Sequence, residues 1–238
     1  PRYCPKTKRI NAVEALARWN HPQHGLISPA DFIPLCEKTG MIDRLGMLIL
    51  DQALRQQRKW RDIGREINVS VNVSLRQLSD PGFGLAVAKA LATHAGIGSM
   101  LELELTETML SEGSDVVQKN LDDVRLLGVR IAIDDFGIGY SNLARLSGMA
   151  VDCIKIDRSL IQSLPENKEL VQMVIALCKL MKARIVAEGV ETARVASWAS
   201  KNGCHELQGY HYGKPMPAAA LENLLLGASE TSEQMASR

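Results

Sequence analysis

Six polar residues of this chain stand near the carboxyl ends of short apolar runs, and within each run they keep one parity. In Asn68–Ser74, Val69, Val71 and Val73 alternate with Asn68, Ser70, Asn72 and Ser74. In Leu101–Thr106 three leucines alternate with Glu102, Glu104 and Thr106, and Ile131 and Ile133 alternate with Ala132 and Asp134. Ile154 and Ile156 oppose Cys153, Lys155 and Asp157, while Glu14 and Arg18 share a face opposite Val13, Ala15 and Trp19. Residues two apart on a strand share a face, so Glu14, Asn72, Glu104, Asp134, Lys155 and Glu188 end up on one side. With Asp135 they make five carboxylates, one amide and one amine. Carboxylates crowded together repel unless protonated or neutralised by cations. An oxygen-only set without clustered His or Cys selects Mg²⁺ or Mn²⁺ over zinc or copper. Asp134-Asp135 suits two ions, one carboxylate bridging, an arrangement that activates water and stabilises charge in an in-line displacement at phosphorus. Lys155 could then hold the attacking water or a phosphate oxygen. Those residues point to metal-assisted phosphate chemistry and leave the substrate open.

Positioning them takes a particular scaffold. The expected strands are Ile10–Trp19, Asn68–Ser74, Leu101–Thr106, Arg130–Asp134, Asp152–Asp157, Arg184–Glu188 and Glu206–Tyr212. Between them lie stretches of helical periodicity, among them Phe32–Glu37, Leu45–Trp60, Gly84–His94, Val116–Leu127, Lys168–Met181 and Val195–Lys201. Strands alternating with helices mean a mostly parallel sheet covered by helices. An antiparallel sheet with one face in water would give the same alternation, but the helices here need the apolar face to pack on. In a (β/α) barrel the polar ends would line the mouth, where active sites assemble. Only Pro1–Cys4 and a Pro5–Lys8 turn precede the first long strand, which suggests a hairpin whose first strand is mostly missing, a fragment of a longer protein with an open barrel seam. Residues 1–226 read as one domain and 227–238 as a polar tail or linker.

The 238 residues, 46% apolar and 23% charged, form an ordinary globular composition. A chain of this size buries about 70% of its surface on folding, enough for a real core. A net charge of +1 offers no electrostatic reason to bind a nucleic-acid polymer. No apolar stretch approaches the ~20 residues of a membrane span, and the opening is no signal peptide. Five scattered cysteines, none in a Cys-x-x-Cys pair, favour a reducing cytoplasm over a disulfide framework. Any membrane anchor of the full-length protein would lie in segments absent here. His21 and His24, in a Pro/Gly-rich turn, read as loop hydrogen-bonders rather than ligands.

Longer patterns surround the same residues. Glu14-Ala15-Leu16-Ala17-Arg18-Trp19, Val71-Asn72-Val73-Ser74, Glu104-Leu105-Thr106-Glu107, Asp134-Asp135-Phe136-Gly137, Lys155-Ile156-Asp157, Ala187-Glu188-Gly189-Val190-Glu191-Thr192 and Gln208-Gly209-Tyr210 occur in this order. Over residues 1 to about 225 the chain resembles the EAL-domain family of cyclic di-GMP phosphodiesterases. The resemblance implies a TIM-like (β/α)8 barrel with an antiparallel first strand, lacking here its N-terminal helix and most of strand 1. It also implies hydrolysis of cyclic di-GMP to linear pGpG by in-line attack of a metal-activated water, lowering a bacterial second messenger. A catalytically silent cyclic di-GMP receptor signalling to a partner is the alternative; silent relatives typically lose the EAL glutamate or the Asp-Asp pair, and Glu14, Asp134 and Asp135 all remain here.

Carried over residue by residue, the resemblance makes Glu14, Asn72, Glu104 and Asp134 ligands of one metal, and Asp134, Asp135 and Glu188 ligands of a second or of its water. Glu188, Lys155 and Glu14 are the implied catalytic residues, Glu188 as a base and Lys155 orienting the water. Leu16, Arg18, Gln208 and Glu191 are implied on the substrate side, and Glu107 braces the Asp135–Leu143 loop. Asp157 is read as bracing Lys155 rather than binding metal. Mg²⁺ or Mn²⁺ is the implied cofactor, with Ca²⁺ inhibitory because its larger, looser shell acidifies water less. A homodimer through the Asp135–Leu143 loop and an upstream regulatory domain are further implied. Three positions depart from the family pattern: Ile138 where Thr is usual, Asn142 where Ser is common, and His205 where Asp is frequent.

Overall fold

In the computed structural model, residues 1–111, 114–137 and 151–225 are described. Eight strands close into a barrel in the order β1 (Arg2–Cys4), β10 (Glu206–Gln208), β9 (Arg184–Ala187), β8 (Cys153–Ile156), β7 (Arg130–Phe136), β6 (Leu101–Thr106), β5 (Asn68–Asn72) and β2 (Arg9–Ala15). β1 runs antiparallel to both neighbours, and the other pairings around the ring are parallel. The expected open seam is absent: three residues suffice, because Arg2 and Tyr3 pair with Gln208 and Leu207 on one side and with Ala12 and Ile10 on the other. Outside the barrel, Tyr3 stacks on Tyr212 with centroids 4.5 Å apart.

Strand parity divides the apolar residues into two unequal sets. Val69, Val71, Leu101, Leu103, Leu105, Ile131, Ile133, Ile154, Ile156 and Ile185 face outward and are at most 2% exposed, forming the main core with the helices. Burying each such side chain fully is worth about 1.5–3 kcal/mol. Inside the barrel, Ala132, Cys153 and Val186 form a second, small apolar cluster, beside the buried charged side chains of Arg2, Glu102, Glu104, Lys155 and Glu206.

Among the described residues, the helices that cover the outer face include α1 (Pro29–Thr39), α2 (Ile42–Asp62), α3 (Leu75–Leu78), α4 (Phe83–Thr93), α5 (Glu107–Ser111), α6 (Asp115–Leu126), α7 (Arg158–Gln162), α8 (Lys168–Leu180) and α9 (Ala193–Asn202). Side-chain caps start several of them: Ser28 accepts from Ala30 N, and Thr192 from Val195 N, each at 3.3 Å. None of the helices, among the described residues, is long and apolar enough to cross a membrane. All five cysteines are free, and four are buried.

Two expected strands end early. β2 stops at Ala15, and Trp19 opens a separate hairpin of β3 (Trp19–His21) and β4 (Gly25–Ile27). Trp19 meets Phe32 of α1 edge-on at 5.8 Å, and His21 Nδ1 accepts from Gln23 N and His24 N at 3.1 and 3.3 Å, the turn role expected of it. β10 stops at Gln208, and the next residue, Gly209, lies against the Val190 backbone, whose oxygen would stand 2.2 Å from any Cβ placed there. Ile138, Asn142, the rest of the loop to Leu143, and the tail 227–238 lie outside the described residues.

Candidate active site

At the carboxyl ends of the barrel strands, the ammonium of Lys155 sits among four carboxylates. Its Nζ is 2.8 Å from Glu188 Oε1, 2.9 Å from Asp134 Oδ1, 3.0 Å from Glu104 Oε2 and 3.4 Å from Glu14 Oε2. Lys155 and Glu104 have no exposed side-chain surface. Asn72 and Gln208 donate to Glu14 Oε1 and Oε2 at 2.9 and 2.7 Å. Parallel register explains the convergence, since Asn72 pairs with Glu104 and Thr106 with Asp134 across adjacent strands.

Simple alternation cannot bring Asp134 and Asp135 to the same side. A register irregularity between Ile133 and Phe136 interrupts the pairing of β7 with β8, and Asp135 adopts a left-handed conformation at φ +54°. An extra residue at such a bulge re-aims its side chain, and a non-glycine at positive φ holds local strain of the kind that gathers at functional sites. Asp135 N donates to Asp134 Oδ1 at 3.0 Å.

Electrostatics follow from this crowding. Burial works against the ammonium of Lys155, but the carboxylates of Glu104, Glu14, Glu188 and Asp134 overcome it and hold its pKa well above the usual lysine value. Glu104 is pushed well up by burial, with repulsion from Glu14 and Asp134 adding to it. Burial also lifts Glu188 to about 7, against the pull of Lys155. Burial opposes ionisation of Glu14 too, yet Lys155 and the hydrogen bonds from Gln208 and Asn72 leave it below the usual range. Asp135 is raised by burial and by Asp134.

The donor chemistry fits divalent cations. Oxygens of Glu14, Glu104 and Asp134 lie within 4.8 Å of one another, and so do those of Asp134, Asp135 and Glu188. One ammonium cannot balance five carboxylates, and Gln208 Oε1 is buried with no hydrogen-bond partner. An all-oxygen set suits Mg²⁺ or Mn²⁺.

The remaining candidates spread outward. Leu16, Arg18, Glu191 and Gln208 line a cleft of about 1800 Å³ that opens over the carboxylates. Arg18 Nη1 donates to the Ala17 carbonyl at 2.7 Å, and Glu191 accepts from Gln162 Nε2 at 2.9 Å. Asp157 caps α7 by accepting from Ser159 N at 2.7 Å and faces Asp135, whose ionisation it opposes. Glu107 begins α5, directly after β6. His205 lies away from the mouth, at the opposite end of β10, where its Nδ1 accepts from Ile185 N at 2.9 Å.

Deeper in the lumen lies a second ionic group, for which the sequence supplied no role. Arg2 reaches Glu102 and Glu206, and Glu206 also pairs with Arg184. The inward parity of Glu102 was readable two residues before Glu104; the pairing with Arg2 was not.

The EAL domain family matches residues 1–215. The chain is 42% identical over 227 residues to the bifunctional diguanylate cyclase/cyclic di-GMP phosphodiesterase MucR of Pseudomonas aeruginosa, covering 92% of this chain and 33% of MucR. It is 37% identical over 226 residues to the cyclic di-GMP phosphodiesterase PdeR of Escherichia coli, covering 92% and 34%. It thus spans about a third of the length of these relatives. A solved structure of the PaMucR phosphodiesterase in complex with c-di-GMP superposes with a TM-score of 0.87 at 41% identity, covering 93% of this chain and 91% of that one.

Proposed function

The chain belongs to the EAL domain family, and from that premise we propose that it hydrolyses one phosphodiester bond of cyclic di-GMP to give linear pGpG. The observation that carries the reading is the intact cluster of Glu14, Asn72, Glu104, Asp134, Asp135, Lys155 and Glu188 at one mouth, beneath a cleft of about 1800 Å³. Glu14, Asn72, Glu104 and Asp134 would hold one divalent ion, and Asp134, Asp135 and Glu188 a second. Bound there, Mg²⁺ or Mn²⁺ would acidify water and neutralise charge on the phosphoryl group.

The chain's own residues supply the rest. Glu188, with a pKa of about 7, can accept the proton of an attacking water at its carboxylate near neutral pH. Lys155 donates to carboxylates at 2.8–3.4 Å; once those are neutralised, its donors are free for the water or a phosphate oxygen. Arg18, exposed on the cleft wall, suits a phosphate contact. Leu16 gives the nucleotide an apolar surface, and Gln208 Oε1 offers an unused acceptor. Glu191 supports the substrate side through Gln162, and Glu107 and Asp157 brace the loop that carries Asp135. Buried free cysteines fit a cytoplasmic setting. A homodimer through the loop after Asp135 belongs to the same reading.

Incubating the purified chain with cyclic di-GMP and Mn²⁺, and following pGpG by chromatography, tests the proposal. Turnover that Glu14→Ala abolishes is expected. Tight binding of cyclic di-GMP without any pGpG would replace the enzyme with a receptor.

A further inference from the structure

The guanidinium of Arg2 lies in the barrel lumen, 2% exposed, below the carboxylates of the mouth. Its Nε and Nη2 both grip Glu206 Oε2, at 2.7 and 2.6 Å, and its Nη1 pairs with Glu102 Oε1. These anchors fix the plane of the guanidinium and leave the same Nη1 3.8 Å from Glu104 Oε1. That oxygen is buried and accepts no hydrogen bond, whereas Glu104 Oε2 receives Lys155 at 3.0 Å. Glu104 therefore hangs between two cations, one toward the mouth and one beneath it, and among the described residues no hydrogen bond holds its lower oxygen.

We propose that Arg2 is a positioning residue for the metal site: held by Glu102 and Glu206, it draws Glu104 Oε1 into the lumen and so aims Oε2 at the mouth. This deepens the metal-binding reading given above and rests on it. Without Arg2, Lys155 is left as the one cation holding Glu104 among the described residues, and the carboxylate can pivot about that contact out of register with Glu14 and Asp134. Outer partners that orient a ligand typically change metal affinity by about 10–100-fold.

Mn²⁺ affinity, measured by titration calorimetry at a temperature where circular dichroism shows every protein folded, tests the assignment. Arg2→Met is expected to weaken Mn²⁺ binding at least about 10-fold, and Arg2→Lys to recover most of the loss. Should Arg2→Met fail to fold, the charge-balanced pair Arg2→Met with Glu102→Gln serves instead. Glu206 keeps Arg184 in that pair, and the same loss of affinity is expected. Arg184→Met, which disturbs the lower ionic group at Glu206 but leaves Arg2, Glu102 and Glu104 in place, should lower the melting temperature and leave Mn²⁺ affinity within about 3-fold. Wild-type affinity in the Arg2→Met variants, or an equal loss in Arg184→Met, would overturn the positioning role alone. A wild-type chain that binds no Mn²⁺ would overturn the metal site and this role together.

Discussion

Replacing Lys155 by Met keeps an unbranched side chain, one atom shorter, and deletes the one ammonium lying among Glu14, Glu104, Asp134 and Glu188. In the metal-free protein those carboxylates then face one another uncompensated. Removing one partner of a buried ion pair costs about 3–5 kcal/mol. At about 2–4 °C per kcal/mol for a chain of this length, the melting temperature should fall by about 6–20 °C at pH 8 in EDTA. Two further consequences separate this from ordinary damage. As pH falls toward 5 the carboxylates take up protons, so the gap from wild type should narrow. A divalent ion no longer has to displace the ammonium, so saturating Mn²⁺ should raise the melting temperature of Lys155→Met more than that of wild type. Differential scanning fluorimetry across pH, with EDTA and with Mn²⁺, measures all three effects. Equal melting temperatures at pH 8 in EDTA, or a larger Mn²⁺ response in wild type, would refute the balance of charge drawn here.

Glu188 is raised from an unfolded value of 4.5 to about 7. Its contribution to stability is therefore complete below about pH 4.5 and lost as pH climbs through 7, up to about 3 kcal/mol in all. Glu188→Gln should flatten this part of the pH dependence in metal-free urea unfolding, and an unchanged slope would count against it. Gly209→Ala places a Cβ 2.2 Å from the Val190 carbonyl oxygen and should cost at least about 2 kcal/mol in urea unfolding; a neutral result would contradict the close approach. Ca²⁺ should raise the melting temperature through the same carboxylates while supporting no pGpG formation in the chromatographic assay, and turnover equal to that with Mn²⁺ would refute the hard-ion argument.

Much of the site is legible in period-2 alternation. Once the helices claim the Val, Leu and Ile face, Glu14, Asn72, Glu104, Asp134, Lys155 and Glu188 can only point into the lumen. Asp135 is harder, because strict alternation sends it outward; only the irregularity in β7 and the positive φ bring it to the mouth. The hairpin of β3 and β4 stays hidden because Glu14–Trp19 reads as one continuous strand. The burial of Arg2 is hidden in the sequence for a different reason. Its partners stand 100 and 204 positions away, and a basic residue at the start of a chain carries no local mark of burial. Parity also carries Asp157, two residues after Lys155, to the mouth, where it lines the cleft and faces Asp135 while capping α7.

A ring of strands is only as cooperative as its shortest member. β1 and β10 have three residues each and meet through two register pairs, so this seam is where local opening should begin, and the amides of both should exchange hydrogen sooner than those of β6 or β7. Each such excursion would carry Arg2 out of the lumen and take Pro1 off the cleft wall beside Glu14 and Gln208. Any partner or neighbouring segment that clamps this seam would thereby tune metal retention at the far end of Glu104 without touching the mouth.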